Sequence, residues 1–435
     1  MSIDIKNALG RITRERMIVS LDLSDEFSQI SYTSLGEKNP RTATVAGDSE
    51  DMCIPTVLAK YSDDNAWTYG YDALEVAEKG EGELVGDLIA LSRKGQPVTV
   101  EGREYDPVDL LALFMKKCFN LLAVAAPIEK VAIIVITIDR PDAETIDMLN
   151  KAINTLRIKP EKVFFQSHSE SAYYYMINQS RELWNHDVLI CHLKEDGLYV
   201  RTMKKNLNTT PLVILMEEQN FAHIKGLELR GASDATKKKL DQAFYTILCG
   251  LCEESYVSSI YLLGQDFEDK WYEQSLNYMC KGRRVFGGNN LFGKGACYGG
   301  IELLEPSDEA KQYVFLGKDK VKANVGMKAY REGEEAYIGL IDAGKNWYET
   351  GKHMDLILDH EDTLKFIVTP LNGRNQKIVP MYLTGIPPRP PKATRVHIEI
   401  KMLSERKMLV IVNDLGFGEF YKSSGIEWKS EIVLD

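Results

Sequence analysis

No apolar run in this sequence approaches the ~20 residues that a membrane-spanning helix needs. The longest, such as the one that opens at Val131, are far shorter. No tract of Lys and Arg with interleaved aromatics is present, and the formal net charge is -11. A general affinity for nucleic acid is therefore not expected. The basic triplet Lys237-Lys238-Lys239 reads as one solvated helix face. The opening residues, MSIDIKNALGR, lack the apolar stretch of a signal peptide. Cysteine is scarce: seven in 435 residues, scattered along the chain. That pattern fits reduced thiols and a cytoplasmic setting. Cys249 and Cys252 form a C-x-x-C inside a helical pattern, with no second pair and no nearby His. They read as core thiols rather than a redox pair or half of a metal site.

A further absence bears on chemistry. The stretch VSLDLSDEFSQIS, residues 19–31, reads as a strand, a turn and a second strand. Phosphate-binding hairpins of this kind carry small residues in the turn, so that backbone N–H groups can come close. Here the turn is Ser24-Asp25-Glu26.

What is present is an α/β pattern followed by an all-β one. Up to about residue 305, strands alternate with helices. MIVSLDL and FSQISYTSL read as paired strands, and KVAIIVITI as a short, continuous, β-branched buried strand. YDPVDLLALFMKKCFNLLAVA reads as a helix with Asp106 as N-cap and Pro107 in the first turn. DVLICHL, LYVRTMKKN and PLVILME follow as strands, with Asp196-Gly197 as a hairpin signal. The helix around the two cysteines leads into SSIYLLG, and two more helices, FEDKWYEQSLNYMC and LFGKGACYGGIELL, end the region. After it, EPSDEAKQ is polar and YVFL, 313–316, is a short apolar link. From about 321, strand patterns recur with turn residues between them, which suggests a β-sandwich.

The tail stretch MYLTGIPPRPPKATRVHIEIKMLSERKMLVIVND, 381–414, carries Leu383, Gly385, Ile386, Pro387, Pro388 and Pro390 ahead of two strands. This resembles the substrate-binding sandwich of the seventy-kilodalton heat-shock chaperones. The rest of the chain is similar in order to that family's actin-like ATPase domain. Asp22 and Leu23 match the end of its first strand, Pro55 and Gly70 stay in step, and Gly264 matches its adenosine-side turn. GKGACYGG resembles its closing helix. The resemblance implies an actin-like (ribonuclease-H-like), two-lobed α/β domain over 1–305, a linker over 306–320 and a polypeptide-binding β-sandwich over 321–435.

The departures fall on the chemistry. Where the family has its second, glycine-rich phosphate loop, this chain reads CHLKEDGLYV, 191–200, and keeps only Gly197. The family's acidic residue falls on His192 or Cys191, its lysine on Leu74 and its glutamate on Ser167. The resemblance leaves Asp22, Ser24, Gly264, Gly287 and Gly288 as nucleotide-contact candidates. It leaves no catalytic residue, no metal ligand and no required cofactor. Asp22 also reads as a strand-end carboxylate paired to local backbone, Gly287-Gly288 as a plain turn, and His168 and His192 as ordinary satisfied polar residues. The expectation is a pseudo-ATPase that binds a polypeptide or protein partner, with no nucleic acid and no membrane. Two alternatives stay open: a divergent ATPase using ATP and Mg²⁺, and an actin-like assembly protein.

Overall fold

The structure, a computed structural model, describes residues 17–45, 51–123, 131–206, 212–331, 333–359, 362–371 and 375–434. The opening residues that carry the signal-peptide expectation lie outside the described residues. The chain divides into two compact units, Met1–Val314 and Phe315–Asp435.

The first unit holds two sheets of the same plan. In the first, β1 (Met17–Asp22), β2 (Phe27–Ser34) and β3 (Arg41–Thr42) form an antiparallel meander. Helix α1 (Pro107–Asn120) then leads to β4 (Ile133–Ile138), which lies parallel to the other side of β1. Helix α2 (Ala143–Thr155) leads to β5 (Val163–Ser167), parallel to β4, and α3 (His168–Ile177) follows. The strand order is β5-β4-β1-β2-β3.

The second sheet repeats this. An antiparallel meander forms from β6 (Asp187–Lys194), β7 (Gly197–Asn206) and β8 (Leu212–Phe221). Helix α4 (Asp234–Glu254) then leads to β9 (Val257–Leu263), parallel to β6. A short helix, Glu273–Met279, precedes β10 (Arg284–Gly287), and α5 (Leu291–Leu304) follows. The order is β10-β9-β6-β7-β8, with β11 (Tyr313–Leu316) beyond β8.

Local chemistry explains these elements. β1 and β4 are buried at every position, as expected for strands covered on both faces. Asp106 accepts from the Val108 N–H at 2.8 Å and Pro107 opens the first turn, so α1 starts where sequence places it. Helix α5 carries Gly293, Gly295, Gly299 and Gly300. Each interior glycine costs a helix about 1 kcal/mol, and contact offsets the cost. A Cβ on Gly295 would stand 1.9 Å from the Ser171 carbonyl oxygen, and one on Gly300 2.6 Å from Ile18. The bare face lets α5 lie directly on α3 and β1. The last helix after the second sheet is thus built into the core of the first, with Ala296 packed among Ile18, Ile133 and Val135.

The second unit contains two four-stranded antiparallel sheets. One runs β13-β12-β15-β16, from β12 (Ala323–Arg331), β13 (Glu334–Ile341), β15 (Thr363–Pro370) and β16 (Lys377–Tyr382). The other runs β14-β17-β18-β19, from β14 (Gly351–Leu358), β17 (Thr394–Ser404), β18 (Lys407–Gly416) and β19 (Glu427–Val433). Alternate residues of both sheets, Val325, Phe366, Ile398 and Val410 among them, meet in one core. The proline-rich stretch is tied down from two sides. Arg389 makes a two-pronged ion pair with Asp414 at 2.8 and 2.7 Å, and the Trp428 indole donates to the Thr384 carbonyl at 2.8 Å.

Tyr313–Leu316 forms a strand at the edge of the second sheet. Two readings are corrected. Only Glu273–Met279 of the FEDKWYEQSLNYMC stretch is α-helix; Gln265–Phe267 is a 3-10 turn. Cys249 and Cys252 are partly exposed on α4 instead of lying in the core. No helix among the described residues is long and apolar enough to cross a membrane.

Candidate functional site

Because β1 and β6 hold the same place in their sheets, their hairpin turns open toward the same side. The turns border a cleft of about 960 Å³ within the first unit. In the first turn the Ser24 hydroxyl donates to the Phe27 carbonyl at 2.6 Å. Ser24 is thereby occupied in shaping its own turn. The two turns also bond to each other: the Glu195 backbone N–H donates to Glu26 Oε1 at 3.0 Å. A backbone amide of the second loop, the kind of donor a phosphate would need, is held by the chain's own carboxylate. Arg230 pairs with Glu195 and reaches Asp266 at 3.4 Å.

Behind the turns lies a buried chain of charges. Asp22, at the end of β1, receives a hydrogen bond from His168 Nε2 at 2.8 Å. The other ring nitrogen, Nδ1, stands 3.6 Å from Asp139 Oδ1. Asp139 takes Lys194 at 2.9 Å and also Arg201. Arg201 continues to Glu218 at 2.8 Å, where Arg140 also binds at 2.8 Å. His168 and Arg201 are 1% and 0% exposed, so the links they make are shielded from bulk water, while Arg140 at the far end is exposed.

The partners decide the charge states. Burial works against a charged His168, but Asp22 and Asp139 outweigh it, and the imidazole is held above its ordinary value. Burial likewise disfavours the Asp139 carboxylate. His168, Arg201 and Lys194 more than compensate and hold it far below the usual carboxylate range. His192 lies close by, its ring 6.4 Å from that of His168. Burial and then the charges of Lys194, Arg201 and His168 push it well down, so it stays neutral. Phe292, from α5, stacks flat on His168 at 4.1 Å and carries Arg201 over its ring at 5.4 Å. Two cations of the network thus share one aromatic ring.

The opposite wall is polar and mostly uncharged. Gly264 has φ +112°, and a Cβ there would stand 2.2 Å from the Leu193 carbonyl oxygen, so this turn requires glycine. The Asn289 side chain accepts from the Gly264 N–H at 2.7 Å. Gly287 and Gly288 do not line the cleft; the segment reaches it through Asn289. Gln29, 3% exposed, donates to Cys53 Sγ at 3.2 Å and leaves its Oε1 without a partner. Among the described residues, no group of three His, Cys, Asp or Glu is placed to hold a metal ion.

Of the residues singled out from sequence, Asp22, Ser24 and Gly264 line this cleft, and Gly287 and Gly288 do not. Asp22 is paired to a side chain 146 positions away, not to local backbone. His168 and His192 are not separate structural residues; they meet beside Phe292. Ser167 caps α3 by accepting from the Glu170 N–H at 3.1 Å. Leu74 does line the cleft. Sequence reasoning missed Asp139, Arg201 and Gln29. Asp139 stands directly after a buried strand, a position where α/β folds put functional groups, and that signal was available.

Two family models match the chain. One, described as a family of unknown function (DUF5716), C-terminal, matches residues 39–318. The other, a domain of unknown function (DUF8552), matches residues 320–434. The junction between them falls a few residues beyond the division into two units. Neither description names a heat-shock chaperone. No curated protein matches the chain. The first match covers well over half of the sequence, and the chain belongs to the family of unknown function DUF5716.

Proposed function

We propose that this chain is a chaperone-like binding protein: a non-hydrolysing, actin-like unit followed by a β-sandwich that holds an extended polypeptide. One observation carries the loss of hydrolysis. Glu26 occupies the Glu195 amide, so the two turns that would grip a triphosphate grip each other. The repeated sheet order, with both hairpins on one cleft, supports the actin-like reading. The cleft's charge supports the loss of nucleotide. Eight carboxylates line it against four Lys and Arg. At an effective dielectric of about 20, one like-charge contact at ~4 Å costs roughly 4 kcal/mol. Two such contacts cancel the ~8 kcal/mol of a micromolar complex.

For the sandwich, the edge strand β16 supports strand addition. Val379 and Met381 face its core, while Ile378 and Tyr382 point away and are 65% and 66% exposed. The test uses the full chain. Calorimetry with Mg·ATP and Mg·ADP is expected to give no binding tighter than about 100 μM, on the arithmetic above. Fluorescence anisotropy with a labelled, permanently unfolded polypeptide is expected to show binding that ATP does not alter. The double change Ile378→Ser and Tyr382→Ser is expected to weaken it. A low-micromolar Mg·ATP affinity with steady turnover overturns the non-hydrolysing reading. No polypeptide binding, or binding unaffected at β16, overturns the sandwich assignment.

A further inference from the structure

The cleft of about 960 Å³ is lined by eight carboxylates against four Lys and Arg. Each Lys or Arg that lines it is already engaged. Lys194 pairs with Asp139, Arg230 with Glu195, Arg93 with Asp142 and Arg140 with Glu218. Several acceptors are left over. Asp25 and Asp87 face the cleft with no ion pair, and Asp87, before the helix Leu88–Lys94, caps nothing with its side chain. Glu26 uses Oε1 on the Glu195 amide, which leaves its second oxygen. Deeper in, Gln29 keeps a buried Oε1 with no partner.

The two aspartates are near enough to interact. The surrounding walls push the Asp25 carboxyl up; Lys194 opposes this, and the charge of Asp87 adds to it. Glu26 is pushed up too, mainly by burial. Water solvates the two exposed aspartates, while the buried Gln29 oxygen has no partner; a ligand that brings donors and positive charge satisfies both kinds of acceptor. A volume of about 960 Å³ admits a compound of small-metabolite size.

We propose that the cleft binds a small organic cation, an amine or guanidinium compound, whose charged end lies at Asp25 and Asp87 and whose body reaches the amide of Gln29. This rests on the reading that the cleft no longer takes nucleotide, and it assigns to the same site a ligand of opposite charge. A trinitrogen cation such as spermidine has charge and donors at more than one point along its length. It can therefore meet the acids at the mouth and the acceptor inside together.

Calorimetry of the full chain with spermidine at physiological salt tests this. The expected result is one site per chain. Asp25→Asn and Asp87→Asn should each weaken binding about tenfold. Gln29→Met, which keeps the buried volume, should weaken it several-fold without loss of the folded circular-dichroism signal. Glu161→Gln, a surface change outside the cleft, should leave binding unchanged. Equal weakening by Glu161→Gln, or several weak sites that vanish with salt, would mean spermidine merely samples a chain of net negative charge, and the proposal fails. Absence of any spermidine binding also overturns it. In that case a parallel Mg·ATP titration separates the two ideas. No nucleotide binding leaves the non-hydrolysing reading standing, whereas tight nucleotide binding removes both.

Discussion

Replacing His168 by Phe probes the buried network most directly. The ring volume and the stack on Phe292 are kept, but the cation between Asp22 and Asp139 is removed. Asp139 retains Lys194 and Arg201, while Asp22 loses the His168 hydrogen bond. Breaking one partner out of a buried pair costs about 3–5 kcal/mol. The affected unit has 314 residues. At ~2.1 cal/mol/K of unfolding entropy per residue, that cost lowers its Tm by about 5–8 °C. The effect has a pH signature. Burial opposes the His168 charge, Asp22 and Asp139 outweigh it, and the folded-state value is raised. A raised value means the stabilisation is complete below about pH 6.5 and is lost as pH rises through the folded value. The gap between parent and variant should therefore be widest in mildly acidic buffer and narrow toward alkaline pH. Scanning calorimetry from pH 5.5 upward measures it. Adding Asp22→Asn to the variant should recover part of the loss, because the orphaned charge is gone. A gap below 1 °C, or one that widens with pH, refutes the assignment of His168 as a charged link.

Gly295→Ala should destabilise the first unit by about 3 kcal/mol or more, because the new Cβ meets the Ser171 carbonyl at 1.9 Å; an unchanged urea midpoint would show that α5 can move away from α3. Arg389→Met should cost the second unit about 3–5 kcal/mol, since Asp414 is left buried; Trp428 fluorescence during urea unfolding reports it, and no shift of the midpoint counts against the brace. Tyr313→Ala should expose the 313–316 segment to protease, because Tyr313 is 6% exposed and packs edge-on against Trp184 at 5.6 Å. If the parent is already cut there as fast as an unstructured tail, the anchoring is absent.

The elements were legible where one local rule decides them. The buried strands show as β-branched runs, α1 shows through Asp106 and Pro107, and the β6–β7 hairpin through Asp196-Gly197. β19 carries a weak signal because it turns only Trp428 and Ile432 firmly inward, among Glu, Lys and Ser and an exposed Val433. Of the site, Asp22, Ser24 and Gly264 were legible, and only Asp22 belongs to the buried charge network. Its meaning depends on His168, which the parallel β1–β4–β5 pairing brings near from far along the chain. Which partners two charged residues find depends on strand register and not on local sequence. For that reason the pairing of Asp139, Arg201 and Glu218 could not be read before the fold was in view.

The same point explains how two hairpin turns can border one cleft with no ligand between them. Glycine-rich turns leave amides bare and depend on the ligand to satisfy them. A charged turn must satisfy them itself. Here Glu26 takes the Glu195 amide, Ser24 takes the Phe27 carbonyl, and Arg230 holds Glu195 from behind. Lys194, which lines the cleft, is paired with Asp139. The acids that look repulsive in the sequence are therefore of two classes. Glu195, Asp139 and Asp22 have partners and build the walls. Asp25 and Asp87 have no ion pair, so any ligand that enters meets them first. Replacing the wall acids should lower stability and replacing the mouth acids should not, and that contrast separates the architecture of the cleft from its use.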